Sequence, residues 1–97
     1  MTNNLRPVHP GEILREDYLE PLGMSANKLA IALRVSAPKI NDIVREKRAV
    51  TPDTALRLAR YFGGDAQTWL NLQSAYELKM SREAIGDELQ SIVPMVA

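Results

Sequence analysis

Side chains that can hydrogen-bond to the edges of nucleic-acid bases are concentrated in one segment of the chain, residues 37–45. In this segment Ile40, Ile43 and Val44 recur at the i, i+3 and i+4 spacing of a helix with one apolar face. When that face is turned inward, the polar positions lie on the outside or the flank. The predicted base-reading residues are Pro38, Lys39, Asn41, Asp42 and Arg45. Asn can bind adenine, Arg guanine and Asp cytosine, while Pro can contact a thymine methyl group.

A second short helix precedes this one, and the two helices contact each other. Ser25 and Ser36 can each cap a helix through the side-chain oxygen, so the sequence predicts helices over about Ala26 to Leu33 and Ala37 to Arg45. Only about three residues separate these helices, which therefore cross steeply. Ala30 lies at the crossing, where a larger side chain would hold the helices apart. Together they form a helix-turn-helix pattern.

The positive charge of the chain is concentrated in this helix-turn-helix unit, residues 25–48. The formal net charge of the whole chain is zero, which by itself argues against a nucleic-acid-binding protein. Residues 25–48 nevertheless carry a net charge of +4, whereas residues 1–24 and 49–97 carry −2 each. A duplex would therefore contact a basic surface, and the acidic remainder would lower non-specific affinity. The predicted phosphate-binding residues are Ser25, Lys28, Ser36, Lys47 and Arg48.

The first predicted helix begins at Pro10, directly after His9, and ends near Pro21 and Gly23. Glu12 is expected to bind the free amides of its first turn. A lone histidine invites a catalytic or metal-binding interpretation, but the chain has no cysteine, no second histidine and no triad partner. His9 is therefore expected to have a structural role at the start of the helix.

Two more helices follow the helix-turn-helix unit, which makes five in all. Thr51 caps the fourth helix, which ends at a Gly-Gly pair, and Asp65 caps a fifth helix that runs past Tyr76. The arginines of the fourth helix are expected to be solvated rather than functional: Arg57 and Arg60.

The fifth helix carries two apolar faces. The residues expected to pack on the core are Trp69, Leu70, Leu72, Tyr76 and Met80. If the helix continues toward Pro94, a second face forms, and its residues are the predicted dimer interface: Leu78, Ile85, Leu89 and Ile92. Alternatively the chain folds back at Gly86, because glycine costs about 1 kcal/mol inside a helix. Residues 65–97 are accordingly a candidate dimerisation helix and tail.

Length and composition limit the classes of function. The 97 residues, 45% hydrophobic and 25% charged, fit one domain, 1–97, without a deep cleft. No phosphate-binding glycine loop and no metal-ligand cluster is present, so we expect neither an enzyme nor a cofactor or metal. No segment is apolar enough to span a membrane, and we expect a cytoplasmic protein. A helical protein-interaction module is possible, but a homodimer that binds double-stranded DNA at a palindromic operator explains more features.

The segment SANKLAIALRVSAPKINDIVREKR, residues 25–48, resembles the helix-turn-helix of the Xre (phage repressor-like) family. The flanking segments HPGEILREDYLEPLGMS and VTPDTALRLARYFGGDAQTWLNLQSAYEL are similar to those of the HigA antitoxins, also called VapI-like. The resemblance covers about Val8 to Leu78 and implies a five-helix, lambda-repressor-like fold with a C-terminal helical extension. Arg34 departs from it, because the family usually has Gly at that position of the turn.

The resemblance also implies a function. Members of the HigA family repress their own operon and bind a partner toxin, HigB, which is a ribosome-dependent mRNA endonuclease. The chain is accordingly expected to be the antitoxin of a bacterial toxin–antitoxin pair. The alternative is a stand-alone Xre-type repressor that has no toxin partner.

Overall fold

The computed structural model describes residues 6–96, which form five helices and no strand. The first helix, α1, consists of three consecutive stretches, Pro10–Ile13, Leu14–Leu19 and Glu20–Leu22. It is followed by α2 (Ala26–Leu33), α3 (Ala37–Val44), α4 (Pro52–Phe62) and α5 (Ala66–Gln90). The predicted all-α, five-helix fold is confirmed. Of the predicted domain 1–97, residues 1–5 and 97 lie outside the described residues.

The start of α1 is capped by His9 itself. Its Nδ1 accepts a hydrogen bond from the Gly11 N–H at 2.8 Å. The expectation that Glu12 binds these amides is wrong, because both oxygens of its carboxylate accept hydrogen bonds from the Arg6 guanidinium at 2.8 Å. A bidentate, oppositely charged partner binds a carboxylate more strongly than a neutral amide does.

The middle of α1 is wound as a π-helix, and Pro21 accounts for it. Proline has no N–H to donate, and in an α-helix its ring would clash with the carbonyl four residues before it. Over Leu14–Leu19 the helix widens, and the Glu20 N–H binds the carbonyl of Arg15, five residues earlier. The helix therefore passes Pro21 and ends before Gly23, which has a left-handed φ of 61°.

The core lies where α1, α2, α3, α4 and the first half of α5 meet. Ala30 is 1% exposed, as its predicted position at the crossing of α2 and α3 requires. Trp69 of α5 packs against Tyr18 of α1, with ring centroids 5.4 Å apart. The buried apolar residues are Leu14, Leu19, Leu29, Ala30, Leu33, Ile40, Ile43, Val50, Ala55, Leu58 and Trp69. Each large side chain among them contributes about 1.5 to 3 kcal/mol by its burial, so α3 is firmly held on this core.

The second half of α5 extends beyond the core. Of the two alternatives at Gly86, the structure has the continuous helix, with a kink at Ile85 where φ is −116° and ψ is 16°. The helix ends at Gln90, so Pro94 does not terminate it. The expectation that Met80 packs on the core is wrong, because α5 has left the core by that turn and the side chain is exposed. The molecule is consequently elongated, with dimensions of 52 × 24 × 24 Å.

A buried amide on α5 holds the residues that lead into α4. The side-chain Oε1 of Gln73 accepts a hydrogen bond from the Val50 N–H at 2.8 Å, and its Nε2 donates to Glu77 at 2.9 Å. Leaving such a buried amide without partners would cost about 1 to 3 kcal/mol. The contact therefore fixes the connection between α3 and α4.

Burial of His9 predicts a loss of stability in mild acid. Its side chain is buried, its ring contacts that of Tyr76 at 4.8 Å, and burial lowers its pKa below the usual 6.5. Glu46 and Glu77 act in the opposite direction but do not cancel the effect of burial. The imidazole of His9 therefore binds a proton more readily in the unfolded chain than in the folded one. Its contribution to the free energy of unfolding is fully present above pH 6.5 and is lost as the pH falls below that value. We therefore expect the Tm to decrease as the solution is acidified.

Thermal melting followed by circular dichroism between about pH 7.5 and pH 5 measures this effect. His9→Asn is the matched control, since Asn retains an N-cap acceptor but does not titrate. The chain has no other histidine. Equal dependence of Tm on pH in both proteins would contradict the role assigned to His9.

Candidate nucleic-acid interface

The turn between α2 and α3 is closed by a residue in the left-handed conformation. Ser25 begins α2 as predicted, and its hydroxyl accepts a hydrogen bond from the Lys28 N–H at 3.0 Å. Arg34 ends α2 with φ 62° and ψ 44°, and the Val35 N–H binds the Ala30 carbonyl at 3.0 Å. This conformation costs a residue with a Cβ about 1 to 2 kcal/mol. The turn thus keeps the geometry that a glycine would adopt without strain.

Ser36 lies at the N-cap of α3, as predicted, with an extended backbone. The prediction that its side-chain oxygen caps the helix is wrong, because the hydroxyl makes no capping hydrogen bond. Pro38 occupies the second position of α3 and lacks the N–H that an N-cap side chain commonly accepts from. The Ser36 hydroxyl is exposed and can donate to an external acceptor.

Arg57 fixes the end of α2 from the neighbouring α4. Its guanidinium donates to the Leu33 carbonyl at 2.7 Å and to the Arg34 carbonyl at 3.4 Å. Asp53, one turn earlier on α4, accepts from the same guanidinium at 2.6 Å and orients it. The expectation that Arg57 is merely solvated is therefore wrong. It binds carbonyls that no helical N–H can reach.

The C-terminal end of α3 is held in the same way from α1. The Arg15 guanidinium donates to the Val44 carbonyl and lies 3.4 Å from the Glu46 carboxylate. Beside it, Gly11 approaches so closely that an added Cβ would lie 1.8 Å from the Ile43 carbonyl oxygen. The helix with the predicted base-reading residues is thus held in a fixed orientation, although the sequence pattern singled out neither arginine for this role.

The five predicted base-reading positions all lie outside the core. Pro38 and Arg45 are exposed, while Lys39, Asn41 and Asp42 are half-buried against the flanks of α3. The carboxylate of Asp42 lies 3.5 Å from the guanidinium of Arg48, which is one of the predicted phosphate-binding residues. These positions present donors, acceptors and an apolar ring on one side of a short helix, which is the chemistry needed to read base edges in a major groove.

An amide pair links the outer surfaces of α2 and α3. The Asn41 Nδ2 donates to Asn27 Oδ1 at 2.8 Å and to the Ala37 carbonyl at 2.9 Å. Both of its protons are therefore used, and Asn41 Oδ1 remains as an acceptor. Asn27 was not among the predicted site residues, because its only signal in the sequence is an amide in the first turn of α2, and asparagine is common at helix starts.

The five predicted phosphate-binding side chains are all exposed, on the same two-helix unit. Ser25 and Ser36 lie at the N-terminal ends of α2 and α3, where unpaired amides and the helix dipole favour an anion. Within residues 6–96, Lys28 and Lys47 form no ion pair. The unit thus combines helix ends with basic side chains around the predicted base-reading surface.

Known proteins share this architecture. The helix-turn-helix family model matches residues 16–69. Virulence-associated protein I of Dichelobacter nodosus is 59% identical over 93 residues, which cover 96% of this chain and 85% of that protein. Antitoxin HigA-1 of Vibrio cholerae is 31% identical over 90 residues, covering 93% and 85%. The chain belongs to the HigA (VapI-like) group of the helix-turn-helix family.

A solved structure of the HigA group gives the same fold. The Pseudomonas aeruginosa antitoxin HigA, solved with the higBA promoter, is 50% identical, with a TM-score of 0.90. The match covers 94% of this chain and 100% of that one. The lambda-repressor-like, helix-turn-helix fold inferred from the sequence is therefore confirmed. Arg34 is accommodated in it by adopting the left-handed conformation.

No group of His, Asp and Glu side chains within residues 6–96 is arranged to hold a metal ion. None of the helices in the same residues has the length and apolar character needed to cross a membrane.

Proposed function

We propose that this chain is a DNA-binding antitoxin of a bacterial toxin–antitoxin system. It binds a palindromic operator in the promoter of its own operon as a homodimer, represses that operon, and neutralises a HigB-type mRNA endonuclease. One observation carries the proposal: the P. aeruginosa antitoxin HigA, which was solved with its promoter, shares 50% of its residues and the whole fold. The role requires no catalysis by this chain and is exercised in the bacterial cytoplasm.

The proposed binding mode follows from the placement of α3. The helix enters the major groove, and its base-reading set is Pro38, Lys39, Asn41, Asp42 and Arg45. Phosphates on either side are bound by a second set, Ser25, Lys28, Ser36, Lys47 and Arg48, which fixes the position on the duplex but carries little sequence information. Two copies place their α3 helices in successive major grooves, about 34 Å apart.

The homodimer is proposed to form through the exposed stripe of α5. This stripe consists of Leu78, Ile85 and Leu89 together with Ile92, which the continued helix was predicted to carry but which lies beyond its end at Gln90. The four side chains are between 45% and 66% exposed. A contiguous apolar surface of this kind on a small protein marks an interaction site. A two-fold interface also matches the symmetry of a palindromic operator.

A mobility shift on the DNA directly upstream of the gene tests the DNA-binding part of the proposal. We expect a specific shift that weakens steeply with salt, and a solution mass of two chains. Equal affinity for the upstream DNA and for unrelated DNA would show that the upstream DNA contains no operator for this chain.

Co-expression with the neighbouring gene tests whether the chain neutralises a toxin. If the neighbouring gene stops growth and this chain restores it, the antitoxin function is supported. If the chain binds the upstream DNA but no such toxin gene is present, the stand-alone repressor is favoured.

Removal of Lys47 is expected to weaken binding to all DNA sequences alike. Lys47 is exposed and follows the end of α3, where its ammonium can neutralise one phosphate. Lys47→Ala should therefore reduce the slope of log affinity against log salt by about one unit. Titrations at several salt concentrations measure the slope, and Arg60→Ala, on the exposed side of α4, is the charge-matched control. A slope equal to that of the parent would remove Lys47 from the phosphate-binding set.

A further inference from the structure

A groove opens between the C-terminal end of α2 and the outer side of α4. It has a volume of about 540 Å³ and is lined by Ala32, Leu33, Arg34, Leu56, Arg57, Arg60 and Tyr61. We propose that this α2–α4 groove binds a small organic anion, namely a carboxylate attached to an apolar body. None of the lining residues belongs to the base-reading or phosphate-binding sets, so the site is separate from the proposed DNA contacts.

Two large apolar side chains of the α2–α4 groove are exposed. Leu56 is 63% exposed and Tyr61 is 45% exposed. Each has an arginine four residues away on α4, where side chains are neighbours: Leu56 has Arg60, and Tyr61 has Arg57. The groove therefore places an apolar surface directly beside guanidinium groups. A ligand that has an apolar body next to an anionic group is complementary to both.

The α2–α4 groove also has an excess of positive charge. Arg57 is paired with Asp53 at 2.6 Å, and the Leu33 carbonyl, which accepts from the same guanidinium at 2.7 Å, helps to fix it. Among the residues that the structure describes, Arg34 and Arg60 form no ion pair. Two guanidinium groups are thus available for an external anion. A carboxylate can accept two parallel hydrogen bonds from one guanidinium group.

The backbone of Arg34 supports a binding role for its side chain. Its φ of 62° is left-handed, a conformation that glycine adopts without strain and that other residues adopt at a cost. The chain nevertheless has an arginine at this position, and the arginine lines the groove. Strained residues of this kind cluster at binding sites. Arg34 is therefore the principal anion-binding residue of the groove.

The dimensions of the α2–α4 groove favour a small molecule over a protein helix or a duplex. Along α4 the groove spans residues 56–61, a length of about 8 Å. A docked helix needs anchoring side chains over about two turns, or about 11 Å. Duplex DNA would pair its phosphates with the arginines but would leave the apolar side chains uncovered. Pockets for small ligands have volumes of about 300 to 1,000 Å³, a range that includes this groove.

Titration with 1-naphthylacetate, followed through the backbone amide signals in NMR spectra, tests this site. The compound carries one carboxylate on an apolar pair of fused rings, and 1-naphthylacetamide is its neutral control. We expect the largest shifts at residues 32–34 and 56–61. The acetate should bind about tenfold more tightly than the acetamide, because only the acetate can form ion pairs with the guanidinium groups.

Arg34→Gly separates a loss of binding from a loss of folding. The variant should weaken the binding of naphthylacetate about fivefold and change that of the acetamide by less than about twofold. Its Tm should rise by a few degrees, because glycine is not strained at this φ. Arg60→Ala should show the same selective loss of acetate binding. Arg82→Ala, which removes an exposed arginine from the protruding half of α5, is the matched control and should leave both affinities unchanged.

Other outcomes would overturn this assignment. These are no binding of naphthylacetate at millimolar concentration, equal affinity for the acetate and the acetamide, unchanged acetate binding in both groove variants, and shifts centred on α3 or the protruding half of α5. The capped peptide acetyl-Glu-Phe-Leu-Glu-amide distinguishes a protein segment from a small anion. If the peptide causes the same shifts and binds more tightly than naphthylacetate, the groove is a docking site for a protein and the small-anion site is wrong.

Discussion

Gly11→Ala is expected to lower the free energy of unfolding by about 3 kcal/mol or more. The added Cβ would lie 1.8 Å from the carbonyl oxygen and 2.8 Å from the carbonyl carbon of Ile43, and 3.0 Å from His9 Nδ1. The first two atoms belong to the backbone of α3, so no side-chain rotation relieves the clash and α1 must move away. Ala favours a helix over Gly by up to about 1 kcal/mol, which is too little to compensate. Urea unfolding measures the difference.

Gly86→Ala is the matched control for this prediction. Gly86 also lies in a helix, but a Cβ added there would have no heavy atom from another part of the molecule within 4 Å, so the substitution meets open space. The free energy of unfolding of the Gly86→Ala variant should equal that of the parent protein or exceed it by up to about 1 kcal/mol. If Gly11→Ala is as stable as the parent protein, α1 does not approach α3 as closely as the structure has it.

The helices themselves could be predicted because their signals are local. Caps at Ser25 and Thr51, prolines in first turns and apolar residues at helical spacing lie within a few residues of one another. The resemblance also marked Arg34 as a turn position where the family usually has glycine, and in the structure Arg34 has the left-handed conformation. The exposed stripe of α5 followed from periodicity alone, which does not depend on how the helices pack.

The contacts that hold α3 in place could not be predicted in this way. Arg15 reaches Val44 across 29 residues of sequence, and Arg57 reaches Leu33 across 24. Such contacts depend on the crossing angles of the helices, which the pattern of one segment does not contain. For the same reason a surface arginine and an arginine that binds the end of a neighbouring helix look alike in the sequence.

The same limit applies within the candidate site. The outward positions of α3 follow from its helical period, but the state of each side chain depends on its neighbours. Bidentate binding of adenine by Asn41 would use both the donor and the acceptor of its amide. In the structure its amide protons are bound by Asn27 and Ala37, so that the acceptor Oδ1 is the group presented outward. The expected base contact is therefore a donor on the base: the exocyclic amine of adenine or cytosine.

Asn41→Ala is accordingly expected to relax the sequence preference at one base pair of each half-site. The loss of binding free energy should be about 1 to 3 kcal/mol on the operator with the preferred base at that position and near zero on operators with the other bases. Competition binding with operators substituted one base pair at a time measures the loss position by position. Equal weakening on every operator would mean that Asn41 contacts the backbone or supports the fold, and its base-reading role would be wrong.

Asn27→Ala tests whether the orientation of the Asn41 amide determines which base is preferred. It leaves the Asn41 side chain in place but removes the acceptor at 2.8 Å that fixes its amide. Because Asn41 can then turn and offer its Nδ2 protons, the preference should broaden at the same base pair and at no other. Asn41→Ala should remove discrimination there whether or not Asn27 is present, so the double variant should equal Asn41→Ala. Additive losses would show that Asn27 acts on the DNA independently of Asn41.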